Sequence, residues 1–411
     1  MVNINSLKAG VKKLAVVSSS AVLMTLSMNA SAMAAIFYDL TDIIDDFAGR
    51  FEETYIATDI NDDSQVVGYT YYHNRFRPGW LWNADKGRIT IEDSSNPLNT
   101  YAILPTSINN AGQVALYRNT SDYGSWSGVW SKKNSLIYLE TSFYFRSNAA
   151  LGINNLGYVV GYTDFSSEPI YDEFGEFVSI DEFNYQAVLW NSNTGERISL
   201  GVLPGGERSY ARVINDAGQV LGSSYSSGEN GGFFDNRKDF VWHRQTGMVE
   251  LSAIIGADNV FASDINHLGQ ILGYSLNGNE RRDFLWRPGA GIMYLPENML
   301  ASKINEVGQV IGTCDGRPCL LRSTTELVDI ISLIDPSLNW EIFGVTAINN
   351  KGQIIGQGYT KNEENYFDTV IRPFLLTHRT VSKTVPEPNT IGGILLAGMG
   401  ITYLRRRQSQ L

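Results

Sequence analysis

The chain has 411 residues, a formal net charge of −11, 39 glycines, 21 tyrosines, 18 phenylalanines and 8 tryptophans. Setting aside Lys8, Lys12, Lys13, Arg405, Arg406 and Arg407 in the two end segments leaves 26 basic against 43 acidic residues. A body this acidic repels phosphates, which argues against nucleic acid and anionic lipid as its partners, and so much Gly and aromatic residue favours short strands and tight turns over long helices.

The first segment carries Lys8, Lys12 and Lys13 ahead of an apolar stretch from Leu14 to Leu26. Ala30-Ser31-Ala32 and Ala32-Met33-Ala34 both offer a small-x-small cleavage site. This order of parts predicts a signal peptide over 1–34 and export of the mature chain.

The body, 35–380, is repetitive. The pattern Ile-Asn-x-x-Gly-Gln-(Val/Ile)-x-Gly places its Asn at 61, 109, 154, 215, 266, 305 and 349. The mean spacing of about 48 residues suits a four-stranded propeller blade. Each copy reads as a strand ending in Ile-Asn, a turn, a second strand, and a third strand ending in Trp82, Trp130, Trp190, Trp242 or Trp286, with Leu321 and Leu376 in the last two copies. A fourth strand centred on Leu139, Leu200, Leu251, Leu295 or Ile330 is expected to come next. Asn at the strand end can hold its own backbone two residues on, and Gly three positions later takes positive φ. Ser64 replaces that Gly in the first copy, which predicts a looser turn there. The recurring Asn and Gln65, Gln113, Gln219, Gln270, Gln309 and Gln353 read as scaffold.

The seventh copy stops at its third strand, Pro373-Phe374-Leu375-Leu376, whereas Ile36-Phe37-Tyr38-Asp39-Leu40 reads as a fourth strand without a blade. The N-terminal strand is therefore expected to complete the last blade. The fold class is all-β: a seven-bladed β-propeller, with an open β-repeat array as the alternative.

What differs between copies is where chemistry is sought. The 61-residue third repeat carries an insertion over 164–186, with Asp164, Glu168, Asp172, Glu173, Glu176, Asp181 and Glu182 among aromatic residues that include Tyr171. Carboxylates are hard ligands for Ca²⁺ and aromatic faces stack on sugars, which makes this the candidate ligand loop. The plainer alternative is an extra hairpin with an acidic edge. Calcium is the one cofactor considered. Asp59-Ile60-Asn61-Asp62-Asp63 matches the start of a calcium loop, but lacks the sixth-place Gly and has Thr70 where a bidentate Glu belongs. His73, His243, His267 and His378 have no metal-ligand spacing. No nucleophile elbow or phosphate loop is present. Cys314 and Cys319 flank Asp315-Gly316, a turn signal, which predicts a small disulfide in an exported chain.

The last segment, 381–411, holds Pro386-Glu387-Pro388, an uncharged run over 391–404, and Arg405, Arg406 and Arg407. As a helix the run would span about 21 Å, short of the ~30 Å hydrocarbon core. Its glycines suit docking on another membrane protein. This order resembles the PEP-CTERM sorting signal. The resemblance implies recognition by an exosortase, a membrane protease-transpeptidase, with transient anchoring in the inner membrane and a destination at the cell surface or in the extracellular matrix. The stretch Leu200-Gly201-Val202-Leu203-Pro204-Gly205-Gly206-Glu207-Arg208-Ser209-Tyr210, running into the fourth Ile-Asn motif, resembles the HAF family of extracellular repeats, which implies export. Together these readings favour a non-catalytic binding, adhesion or structural module in a biofilm matrix, with exopolysaccharide among its partners. A secreted propeller glycoside hydrolase or lyase is the alternative.

Overall fold

The computed structural model describes residues 37–44, 53–72, 75–92, 103–118, 125–139, 148–164, 170–171, 177–179, 185–227, 236–360 and 370–379. The expected signal peptide and the sorting segment, with Pro386, Glu387, Pro388, Arg405, Arg406 and Arg407, lie outside them. Among the described residues no helix is long and apolar enough to cross a membrane.

Seven four-stranded sheets succeed one another along the chain. Blade 1 spans 53–90, blade 2 103–138, blade 3 148–201, blade 4 208–250, blade 5 260–294, blade 6 299–329 and blade 7 340–379. The first strand of every blade touches the first strands of both neighbours, and blade 7 touches blade 1, so the seven inner strands form a closed ring. The fourth strand of blade 7 is Phe37–Asp42, laid along Arg372–Arg379. Ile43 N donates to the Pro373 carbonyl at 3.1 Å, Arg372 pairs with Asp42 at 2.8 Å, and the Tyr38 ring lies 4.6 Å from that of His378. The two chain ends thus close the propeller without a covalent link.

Burial tracks the repeat. The seven Ile of the Ile-Asn motif are buried. So are Val66, Val114, Val159, Val220, Ile271, Val310 and Ile354, which stand first or, for Val159, second in the second strands at no more than 2 % exposure. Seven apolar clusters result, each shared by two adjacent blades. The third-strand Trp and Leu fill these interfaces, Trp286 being only half-buried. Of the fourth-strand residues, Leu200 lies within its strand, Arg197–Gly201, as expected, and the other four do not. Leu139 and Leu295 fall just past their strands, Leu251 opens a one-turn helix (Leu251–Ile255), and Ile330 opens a 3₁₀ turn. In these four blades the apolar residue packs at the blade interface where the strand ends, with Leu251, Leu295 and Ile330 buried and Leu139 half-buried.

Each inner strand carries a β-bulge at the same place, three residues before its Asn. The bulge presses a carbonyl onto the second strand, which explains the last Gly of the repeat. A Cβ on Gly161 would stand 1.8 Å from the Ala149 oxygen, and one on Gly273 would stand 2.2 Å from the Phe261 oxygen. The turn with Ser64 is no looser than the others. Ser64 adopts φ 58, its N–H reaches the Asn61 oxygen at 3.1 Å, and its hydroxyl donates to Gln353 at 2.8 Å. That side-chain bond compensates for a conformation that favours Gly.

In blade 6 a hairpin joins Val310–Cys314 to Arg317–Ser323 through Asp315 (φ 49) and Gly316 (φ 79), the left-handed pair of a type I′ turn. Cys314 and Cys319 are joined by a disulfide. Because the turn already fixes this short loop, replacing both cysteines by serine is expected to cost at most about 2 kcal/mol. Urea unfolding of the two forms measures it, and a loss well above that figure would refute the view that the turn does most of the work.

Candidate binding face

The ring has two faces. One carries the Asn-x-x-Gly turns and the turns between third and fourth strands; the other carries the longer loops. The turn face is held by a device absent from any single repeat. Each Asn Oδ1 accepts the N–H four residues on, and in four blades also the N–H two residues on. Each Asn Nδ2 donates to the backbone oxygen of the next blade's Asn, at 2.9–3.2 Å, from Asn61 round to Asn349 and back to Asn61. In six blades the repeat Gln accepts a second bond from the same Nδ2.

The residue after each Asn forms an outer, incomplete ring. The N–H groups of Asp62, Asn110, Asn155, His267, Glu306 and Asn350 each donate to the side chain of the next blade. Asp62, Asp216 and Glu306 make the rim of this 180 Å³ axial mouth acidic. The resemblance of Asp59 to Asp63 to a calcium loop therefore ends in a hairpin turn. Asp59 reaches across to Ser107 Oγ (2.8 Å) and Ile108 N (2.9 Å) of blade 2. Asp264 does the same to Ile304 N of blade 6 at 3.0 Å. Burial pushes both carboxyls up. Lys303, whose Nζ lies 3.8 Å from Asp264, is held protonated by Asp264 against the cost of burial and is helped by Asp59.

The loop face gathers aromatic rings over blades 3 to 5. Tyr162 and Tyr185 of blade 3 meet Tyr210 of blade 4 at 4.7 and 5.9 Å between centroids, and Tyr225 lies 5.7 Å from Tyr210. Burial and the neighbouring phenols push Tyr162 up to about 12 and raise Tyr210 as well, so both stay neutral hydroxyls at physiological pH. The belt continues as a stack. The Arg237 guanidinium lies over Phe261 (5.0 Å), Phe261 stacks on Tyr274 (5.1 Å), and Arg281 covers Tyr274 (4.0 Å).

Between blades 4 and 5 opens a 480 Å³ cleft lined by Arg237, Lys238, Asp239, Glu250, Asp258 and Phe261, among others. Its central carboxylate is committed to the scaffold. Asp239 accepts from Arg237 twice (2.8 Å each), from Ser223 (2.6 Å), from Arg212 (3.1 Å) and from Ala262 N of blade 5 (2.9 Å). Burial alone would raise this carboxyl, but Arg237, Arg212 and Ser223 outweigh burial and lower it. Asp283 repeats the arrangement one blade on, with Arg281 and with Ala301 N at 2.8 Å.

The sequence-derived ligand loop springs from the rim of this belt. Asp164 is buried at the end of the second strand of blade 3, in register with Tyr185. The insertion contains a short hairpin, Ile170–Tyr171 against Phe177–Ser179. Glu168, Asp172, Glu173, Glu176, Asp181 and Glu182 lie outside the described residues. Among the described residues no group of three or more His, Cys, Asp or Glu could hold a metal ion. The belt itself was not visible in the sequence, since its rings come from positions far apart. The one local signal was Tyr directly after the Gly of the second strand, as in Gly161-Tyr162 and Gly273-Tyr274.

No protein-family model and no curated protein matches this sequence. Solved structures do resemble the fold. An acylaminoacyl peptidase from Pyrococcus horikoshii aligns at 12 % identity and a TM-score of 0.51, over 80 % of this chain and 52 % of that one. Virginiamycin B lyase from Staphylococcus aureus aligns at 12 % identity and a TM-score of 0.48, over 83 % and 99 %. Oligogalacturonate lyase from Vibrio parahaemolyticus aligns at 10 % identity and a TM-score of 0.49, over 83 % and 97 %. The chain spans about half the length of the peptidase chain it matches. At these identities the likeness is one of fold alone.

Proposed function

We propose that this chain is an exported, exosortase-sorted propeller of the cell surface or matrix, and that its loop face binds neutral glycan without turning it over. The observation that carries the binding reading is the continuous belt of half-exposed rings beside a cleft lined with paired charges. The tyrosines of blades 3 and 4, which meet edge-on or tilted, offer apolar ring faces for the C–H faces of sugars, whereas the faces of Phe261 and Tyr274 are taken up by their own stack. The partly exposed Lys238–Glu250 pair supplies a donor and an acceptor for hydroxyls while leaving little net charge. The non-catalytic reading is supported by Asp239, whose lone pairs are occupied by guanidinium, hydroxyl and backbone donors, and by Asp283, which accepts from a guanidinium and a backbone N–H. A glycoside hydrolase of the two-carboxylate kind needs both carboxyl groups open to substrate. The exported reading rests on the signal-like first segment and on the tail that resembles a sorting signal.

Affinity electrophoresis in gels cast with neutral polysaccharides tests the glycan reading. Tyr210→Ala and Tyr225→Ala are each expected to weaken retardation by about tenfold, some 1.4 kcal/mol. Leu268→Ala on the turn face should leave it unchanged. Equal retardation of all three variants, or none for the parent chain, would rule out the belt as a glycan site.

A further inference from the structure

The turn face has a feature the glycan reading does not use. The tip of each Asn-x-x-Gly turn is the second residue after Asn, and turn tips exposed to water are ordinarily polar. Here five consecutive blades present Ala111, Leu156, Ala217, Leu268 and Val307. Leu156, Leu268 and Val307 are 58, 63 and 67 % exposed. The closed Asn ring fixes these tips side by side on one arc. Nothing in the repeat's folding requires them to be apolar, since Asp63 and Lys351 occupy the same place in blades 1 and 7.

The second observation is where the chain enters and leaves. Tyr38 Oη donates to the Gly352 oxygen at 3.4 Å, and a Cβ on Gly352 would stand 3.5 Å from the His378 ring. Gly352 belongs to the turn of blade 7. Both ends of the propeller chain therefore open onto the face that carries the apolar arc. Only residues 380–390 separate the last propeller strand from the uncharged run over 391–404. This face carries both signs of charge. Lys86, Lys132, Lys133, Arg244 and Arg287 stand in the turns between third and fourth strands among acids that include Asp85 and Glu196, and a zwitterionic lipid surface, having no net charge, sets no electrostatic penalty on its approach.

We propose that the turn face rests on the surface of a zwitterionic phospholipid bilayer while the tail holds the chain, with Leu156, Leu268 and Val307 entering the head-group boundary and the glycan-binding loop face directed away. The proposal rests on the reading of residues 391–404 as a membrane segment. Three exposed side chains of this size contribute modest apolar area, so the contact orients a tethered protein rather than recruiting a free one.

The test uses the full chain reconstituted with phosphatidylcholine–phosphatidylethanolamine vesicles. Leu268→Cys and Phe343→Cys carry an environment-sensitive fluorophore, Phe343 being 46 % exposed on the opposite, loop side of its strand. The native cysteines are tied in a disulfide and do not compete for label. The proposal expects blue-shifted emission at 268, quenched by nitroxide-bearing lipid, and neither effect at 343. A chain that floats with the vesicles but shows the same emission and quenching at both positions overturns the orientation alone. A chain that does not float with vesicles overturns the membrane reading of the tail, and this proposal with it.

Discussion

A chain that begins at residue 45 is expected not to fold, whereas one that begins at residue 35 should melt as the full chain does. The difference is the strand Phe37–Asp42 with Ile43 and Ile44. Tyr38, Ile43 and Ile44 are 1–2 % exposed and sit in the two apolar clusters that flank blade 7. At about 1.5–3 kcal/mol for each buried side chain, their loss removes roughly 5–9 kcal/mol. That is comparable to the whole stability of a typical domain, about 5–15 kcal/mol. The shorter chain would also expose the third strand of blade 7 as an unpaired edge, open to association with other chains. Circular dichroism melts and gel filtration of the two truncations decide the matter. A cooperative melt of the shorter chain within a few degrees of the longer one would show that the ring does not depend on its closing strand.

The second large effect is expected at Asp239. Its side chain is fully buried and joins three elements: the third strand of blade 4, Arg212 on the inner strand of that blade, and Ala262 N on the inner strand of blade 5. Asp239→Ala leaves Arg212 and Arg237 facing each other without an anion and the Ala262 N–H without its acceptor. Removing one partner of a buried charge cluster typically costs about 3–5 kcal/mol, and the arginines' partial exposure places the expected loss near the lower figure. The pH dependence has a definite sign. The folded carboxyl sits below its ordinary range, so its contribution is complete above the unfolded-state pKa of about 3.9 and fades as pH falls through the folded value. Parent and variant should thus differ fully at neutral pH and converge in strong acid. Urea titrations at pH 7 and at low pH check this. A gap that does not shrink on acidification would mean that packing, rather than charge, explains the loss.

The sequence made the ring legible because its signal is periodic and local. The Ile-Asn turns, the interface Trp residues and the orphan strand at Tyr38 each announce one blade or its absence, and together they determine blade count and closure. The fourth strands were legible only in part. Leu251 and Ile330 look like strand residues by hydropathy, yet they mark the place where the chain leaves the sheet. The tightness of the turn at Ser64 is hidden from local sequence because its compensating partner, Gln353, lies 289 residues away. The same limit hid the belt. Tyr162, Tyr210, Phe261 and Tyr274 become neighbours only once blades 3, 4 and 5 are stacked. The acidic insertion, conspicuous in sequence, springs from the edge of that belt.

All seven amide groups of the Asn ring point the same way round the axis. The components of their dipoles in the plane of the ring therefore cancel, unlike the aligned peptides of a helix, which leave a pole at each end. The ring holds the blades together at the axial mouth by the same bond in every blade. The potential there is set by the position after each Asn, where Asp62, Asp216, Glu306 and His267 stand among amides. Mechanical cohesion and electrostatic character are thereby assigned to adjacent residues of one turn, and the second can be rewritten blade by blade without loosening the first.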